Sequence, residues 1–259
     1  MKPIVKWSGG KTDELKMFEK YIPFECSTLI EPFAGGAATF FEFGNRFENR
    51  VIADVHTELI ALYKSMAEGK SKEIYDFMKT HPNDEKTYYE VRTWEPEDTI
   101  GIASRFYYLR KTCYRGMMRY NKKGGFNVPF GRYKTFNFEE LLNEDYDILK
   151  KTTILNTSFE TIFATYDDPN NFVFLDPPYD SVFTDYGYCS FGKEEQKKLA
   201  ECFKNTKNKC LMVIGDTPFI RELYDGFIVD EYDKRYRFKL HSGRIGDEIN
   251  TKHLVIKNF

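Results

Sequence analysis

Asp176-Pro177-Pro178-Tyr179 closes an apolar run, Phe172 to Leu175, within the stretch NFVFLDPPYD. The run has the length and the β-branched and aromatic content of a buried strand. Neither proline can donate to a sheet ladder, so the strand ends there. An acid at the carboxyl end of a buried strand, followed by a stiff Pro-Pro and an aromatic ring, suits one kind of chemistry. The exocyclic amine of a nucleobase is a poor nucleophile, because its lone pair is delocalised into the ring. Asp176 can accept one of its N–H groups and the Pro177 carbonyl the other. The lone pair is then left toward an electrophile, and Tyr179 can stack on the base. Such a site works by positioning and by stabilising developing positive charge. The plainer alternative is a strand-ending turn with Pro-Pro as the breaker.

A second candidate lies in LIEPFAGGAATFF. A strand ends in Glu31-Pro32-Phe33, and Ala34-Gly35-Gly36 opens a helix. Small residues at a strand-to-helix turn let a ligand lie against the backbone, and ligands of open α/β sheets bind at the carboxyl ends of strands. The pattern is not G-x-G-x-x-G, so it is not the dinucleotide fingerprint. Asp54 ends the next strand, about twenty residues on, where an acid can take ribose hydroxyls. The alternative is a tight packing turn followed by a helix-capping Asp. Ser8-Gly9-Gly10-Lys11-Thr12 suggests a phosphate loop, but Val5 stands where that motif needs its first Gly.

From Arg105 to Phe138 there are nine basic residues and no acid, interleaved with aromatic rings and with Asn121 and Asn127. The whole chain carries a net charge of −2, so this is a local cationic surface. Lys and Arg neutralise phosphates, and Arg and Asn can pair bidentately with guanine and adenine edges. A second basic stretch, Lys234 to Arg244, holds five Lys or Arg and no acid. A solvated face is the alternative for both.

The elements that must position these residues follow a strand-helix rhythm. STLIEPFAGGAATFFEF reads as strand, Gly turn and helix, and NRVIADVHTELIALYKSMAEG as a strand ending at Asp54 and a helix closed near Gly69. A short helix is expected around residues 12–20. Further strands are expected at 153–156, 172–176, 210–215 and 227–231. An antiparallel hairpin is expected from KRYRFKL and KHLVIKNF. The 70–145 segment departs from the rhythm, being helical and then basic. The fold class is α/β, a parallel sheet with crossover helices interrupted by an inserted module. The 259 residues and 41% hydrophobic content suffice for one large domain with an insertion. Five cysteines without a C-x-x-C pair point to a reducing, intracellular compartment and to no zinc site. No apolar run approaches the roughly 18–20 residues of a membrane span, and MKPIVKWSGG has no signal-peptide core.

Together these segments resemble the Dam-type DNA adenine-N6 methyltransferases of the D-P-P-Y family, in motif order over nearly the whole chain. The motifs are KWSGGK at 6–11, EPFAGGA at 31–37, ADVHTELI at 53–60, RYNKKGGFNVPFGRYK at 119–134, DPPY at 176–179 and SFGKEEQKKLAE at 190–201. The resemblance implies a Rossmann-like methyltransferase sheet. Residues 1–62 and 145–259 would form a discontinuous catalytic domain, and 63–144 an inserted target-recognition domain with a helical part and a β-hairpin. It implies S-adenosyl-L-methionine as donor, S-adenosyl-L-homocysteine as product and no metal. Trp7 and Lys11 would meet the methionine end of the donor. Glu31, Phe33, Ala34 and Gly35 would line its centre, Asp54 would take the ribose, and Ser158 and Phe159 would border its adenine. Asp176, Pro177, Pro178 and Tyr179 would act on a flipped-out adenine. Double-stranded DNA would be held by Lys6, Arg115, Arg119, Asn121, Lys122, Lys123, Asn127, Pro129, Arg132 and Tyr133. The protein would be cytoplasmic, with no membrane partner, acting as a monomer or as a dimer on DNA. GATC is the leading target by resemblance. Arg115, however, replaces the Asn of the Asn-Gly pair usual in GATC readers, which leaves another short palindrome open. His56 stands where an Asn is common.

Other readings remain distinct. N4-cytosine methylation uses the same logic but more often has Ser at the Asp176 position, and protein substrates go with Asn there. RNA is a further acceptor. A silent DNA-binding protein predicts a damaged D-P-P-Y, and a nucleotide hydrolase predicts the missing Gly at position 5.

Overall fold

The computed structural model describes residues 1–121, 123–179, 191–235 and 250–259. Among these residues one sheet is built from β1 (Thr28–Glu31), β2 (Asn49–Asp54), β3 (Thr153–Asn156), β4 (Asn171–Leu175), β5 (Lys209–Gly215), β6 (Ile228–Arg235) and β7 (Asn250–Lys257). Their spatial order is β3-β2-β1-β4-β5-β7-β6. The first five run parallel, and β7 is antiparallel to both β5 and β6. This mixed α/β sheet is the architecture that the resemblance implies. The strand order reverses between β1 and β4, so the loops after Glu31 and Leu175 open side by side at a topological switch point.

The core is written in the strands with period two. Leu29, Ile52, Phe172, Phe174, Leu211, Val213 and Val255 point to one face of the sheet. Ile30, Val51, Ala53, Val173, Leu175, Cys210, Met212 and Ile214 point to the other. Both faces are covered, which is why β4 reads as an unbroken apolar run. The first face receives α1 (Leu15–Phe18), α2 (Ala38–Phe43) and α3 (Thr57–Ala67). The second receives α7 (Phe159–Thr165), α8 (Lys193–Asn205) and α9 (Pro218–Leu223).

Between α3 and β3 lie α4 (Ser71–Thr80), α5 (Glu85–Thr93) and α6 (Thr99–Thr112), then the basic segment. Asp84 and Asp98 cap α5 and α6 by accepting from Thr87 N and Gly101 N at 2.8 and 2.9 Å. Phe106, Tyr107 and Tyr108 of α6 join the same apolar cluster as Phe40 and Tyr63. These helices therefore pack continuously on the first face of the sheet. Their buried tyrosines are each satisfied: Tyr88 by Val128 O, Tyr107 by Glu140 and Tyr108 by Pro82 O, all at 2.7 Å.

Two expected elements are present in altered form. The helix around 12–20 is only the single turn α1 followed by a 3₁₀ turn, Glu19–Tyr21. Glycines 9 and 10 precede it and Pro23 follows, and Lys11 and Glu14 serve tertiary contacts. Residues 227–231 do not begin another strand-helix unit. They open β6, whose antiparallel partner is β7, with Asp230 opposite Val255 and Arg235 opposite Asn250. The alternating burial of β6 suits an edge strand with one covered face. Residues 236–249, with most of the second basic stretch, lie outside the described residues. Among the described residues no helix is long and apolar enough to cross a membrane, and no cluster of potential metal ligands occurs.

Candidate active site and nucleic-acid interface

The glycine turn after β1 is held from three sides. Gly35 (φ +46°) and Ala37 (φ +54°) both adopt left-handed backbone, which costs Gly little. A Cβ on Gly35 would lie 2.7 Å from the Trp7 ring, so only Gly fits beneath that indole. Tyr63 of α3 donates its hydroxyl to Gly35 O at 2.7 Å. Asp54, at the end of β2, accepts Gly35 N–H at 2.9 Å through Oδ2 and His56 N–H at 2.9 Å through Oδ1. Burial pushes the Asp54 carboxyl above its ordinary value despite those donors. The cap of α3 is not Asp54 but His56, whose Nδ1 accepts from Leu59 N at 3.2 Å.

Glu31 is 3% exposed, and its Oε1 has no hydrogen-bond partner among the described residues. Burial, aided by the nearby Asp176 carboxylate, pushes its carboxyl well above the usual range. Phe33, one turn away, meets Phe159 at 5.5 Å and Phe191 at 5.6 Å between ring centroids. Ser158 precedes Phe159 at the N-cap of α7 without a side-chain cap bond.

Asp176 follows β4. Its Oδ1 accepts from Lys11 Nζ at 2.5 Å, and the same ammonium donates to Tyr179 OH at 2.7 Å and Gly9 O at 3.1 Å. Lys11 is 2% exposed. Burial raises the Asp176 carboxyl, and the Lys11 ammonium acts against it. Sequence resemblance sends Lys11 toward the donor's methionine end; here it bridges Asp176 and Tyr179. The Tyr179 ring stands edge-on to His253 of β7 at 5.2 Å and against Gly215, where a Cβ would approach it to 3.3 Å. Gln196 of α8 donates Nε2 to Pro178 O at 2.7 Å. That carbonyl is therefore committed to α8.

Behind this corner Glu14 is buried among donors. Its Oε2 contacts His253 Nδ1 at 2.6 Å and the Tyr232 hydroxyl at 2.7 Å, and its Oε1 pairs with Lys234 at 2.6 Å. Burial alone would raise its carboxyl. The His253 hydrogen bond, the Lys11 and His253 charges and the Lys234 hydrogen bond together outweigh burial and lower it to about 2.

The basic segment forms a hairpin with isolated bridges Cys113–Phe130 and Tyr120–Phe126. Asn121 makes the turn, its Oδ1 accepting from Lys123 N at 2.9 Å and Gly125 N at 3.0 Å. Arg119 braces the two arms through Asn127 O. Lys6, Arg115, Arg119, Asn121, Lys123, Asn127, Pro129, Arg132 and Tyr133 are all exposed, and Lys122 lies outside the described residues. Arg115 and Arg132 have φ of +54° and +53°, uncommon for bulky residues. Arg110 ties the hairpin base to the N-terminal motif, bonding Lys6 O and, at 2.9 Å, Met117 O.

Residues 7–238 match the family model for D12 class N6 adenine-specific DNA methyltransferases. The chain belongs to that family. It is 76% identical, over the full length of both, to the type II methyltransferase M.CviBI of Paramecium bursaria Chlorella virus NC1A. It is 33% identical to the type II methyltransferase M.MjaIII of Methanocaldococcus jannaschii, over 88% of this chain and 89% of that one. It is also 33% identical to the DNA adenine methylase of Haemophilus influenzae, over 87% and 83%.

In this adenine-specific DNA methyltransferase, three structural partners were not legible as site residues. Glu14 and His253 are 239 positions apart and meet only because β7 lies beside β5. Gln196 sits inside a quoted motif but shows its role only once α8 is folded. His56 carries one signal, its place where an Asn is common, and it proves to cap α3 and to reach Tyr120 Oη at 2.9 Å.

Proposed function

We propose that this enzyme transfers a methyl group from S-adenosyl-L-methionine to N6 of an adenine flipped out of a short palindromic duplex target. The reading is carried by the Lys11–Asp176–Tyr179 constellation at the switch point, next to the glycine turn. Lys11 engages Asp176 Oδ1 and favours the ionised carboxylate, leaving Oδ2 to accept an adenine N6–H. Gln196 fixes the Pro178 carbonyl, so the stiff Pro-Pro unit presents the Pro177 carbonyl as the second acceptor. Tyr179, wedged between His253 and Gly215, offers a ring for the base.

The donor set fits S-adenosyl-L-methionine. The buried Glu31 Oε1, unpartnered among the described residues, is suited to a cationic ligand, and Gly35 lets the Trp7 indole pack directly on the turn. Trp7, Lys11, Glu31, Phe33, Ala34, Gly35, Asp54, Ser158, Phe159 and Asp176 would hold it. When bound, the donor supplies a methyl group on sulfonium as the electrophile. Residues 63–144 would recognise DNA, with Lys6, Arg115, Arg119, Asn121, Lys122, Lys123, Asn127, Pro129, Arg132 and Tyr133 on phosphates and base edges. GATC rests on resemblance alone, and the Arg115 departure stands against reading it into this chain. Similarity to type II enzymes supports a restriction-modification setting.

Single-molecule sequencing of a methylation-free bacterial host expressing the protein tests the whole reading. One short motif should carry N6-methyladenine, and Asp176→Asn, which keeps an oxygen for Lys11, should lower turnover on the order of 10³-fold. Undiminished methylation by that variant would remove Asp176 from the mechanism.

A further inference from the structure

Three parts of the molecule meet at His56. Its backbone N–H holds Asp54, and its ring Nδ1 accepts from Leu59 N–H. The ring proton is therefore on Nε2, facing the Tyr120 hydroxyl at 2.9 Å. Burial, with the Arg110 guanidinium, pushes the imidazole down to about 3, so it is neutral near pH 7. Tyr120 donates onward to Glu58, which is paired with Arg105 of α6 at 2.6 Å. The Trp7 indole meets the His56 ring edge-on at 5.6 Å. Tyr120 itself lies between exposed Arg119 and Asn121 and pairs across the hairpin with Phe126. His56 thus ties the hairpin to the Trp7 indole through its ring and to the Asp54 carboxylate through its backbone N–H.

We propose that the Tyr120–His56 hydrogen bond is a positioning link through which duplex on the hairpin and donor at the glycine turn strengthen each other's binding. This rests on the functional reading above. Contacts to Arg119 and Asn121 order the strand that carries Tyr120. An ordered Tyr120 fixes His56, and His56 fixes Asp54 and packs on Trp7. The shared elements are then ordered once for two ligands, which is positive coupling.

The test is calorimetric titration of S-adenosyl-L-homocysteine into the full-length protein, with and without a duplex carrying the motif found by sequencing. For the wild type, duplex should raise affinity by about fivefold or more. Tyr120→Phe should leave affinity without DNA within about twofold and bring the ratio close to one. His56→Asn, which keeps an acceptor for the α3 cap, should lower the ratio equally. The double variant should lower it no further, since both changes break the Tyr120–His56 bond; the Glu58 bond, which Tyr120→Phe also removes, does not reach the glycine turn. A wild-type ratio of one, or a ratio unchanged in both single variants, overturns the link. If the wild-type protein neither binds S-adenosyl-L-homocysteine nor methylates DNA, the functional reading fails first and takes the link with it.

Discussion

The D-P-P-Y corner and the basic hairpin hold their charges in opposite ways. In the corner, Lys11 and Glu14 are nearly sealed from solvent, and each is met by partners from distant elements. On the hairpin, Lys123, Arg115 and Arg132 are exposed, and the turn is held by its own backbone and by Asn121. The corner has its geometry fixed before any ligand arrives. The hairpin keeps its cations at the surface, Arg132 against the likewise exposed Glu85. Substitutions in the corner should therefore disturb fold and chemistry together, whereas substitutions on the hairpin should change DNA binding alone.

The largest break in that contrast comes from Asp176→Ala. It strands the Lys11 ammonium in a buried site, and removing one partner of a buried pair costs about 3–5 kcal/mol. Thermal unfolding should show a midpoint lower by roughly 10 °C. An unchanged midpoint would mean that Lys11 finds other partners and that the corner is less rigid than drawn.

Glu14 gives the same contrast through pH. Its carboxyl is held at about 2 against an ordinary 4.5. A depressed carboxylate adds stability that is complete above the unfolded value and is lost as pH falls from about 4.5 toward about 2. At neutral pH the effect is on the order of 3 kcal/mol. Glu14→Gln should therefore be less stable than wild type at pH 7, with the gap closing below pH 4. A gap that stays constant with pH would assign the loss to packing rather than charge.

Much of the corner was readable in advance because its chemistry is local in sequence. Asp176 to Tyr179 are contiguous, and Glu31 to Gly35 sit on one turn. The sheet was readable because its central strands carry apolar residues on both faces. What stayed hidden was long-range. The Glu14–His253 contact and the Gln196 bond need the completed sheet and α8, and neither leaves a periodic or spaced signal. The helix near residues 12–20 was readable from its apolar spacing, but it is shorter than expected because Lys11 and Glu14 serve contacts elsewhere. On the hairpin the composition was plain, but the left-handed backbone of Arg115 and Arg132 was not, since bulky side chains seldom adopt it.

Lys123 should behave oppositely to Asp176. It is exposed near the hairpin turn, so Lys123→Ala should leave the melting midpoint unchanged. If it neutralises one phosphate, the variant should bind duplex more weakly. Its log affinity against log salt should then be shallower by about one. An unaltered salt slope would take Lys123 off the DNA path.

Arg132 sets the two regions against each other within one residue. Its backbone lies at φ +53°, and its guanidinium pairs with Glu85 at 2.9 Å, both side chains being exposed. An exposed pair of this kind is worth about 0–1 kcal/mol, while a non-glycine residue in left-handed backbone gives up about 1 kcal/mol or more. Arg132→Gly should therefore be as stable as wild type or slightly more so, while binding duplex more weakly. That result would identify strain retained at the hairpin for the sake of recognition. A clear loss of stability would instead make Arg132 a structural residue and the Glu85 pair its purpose.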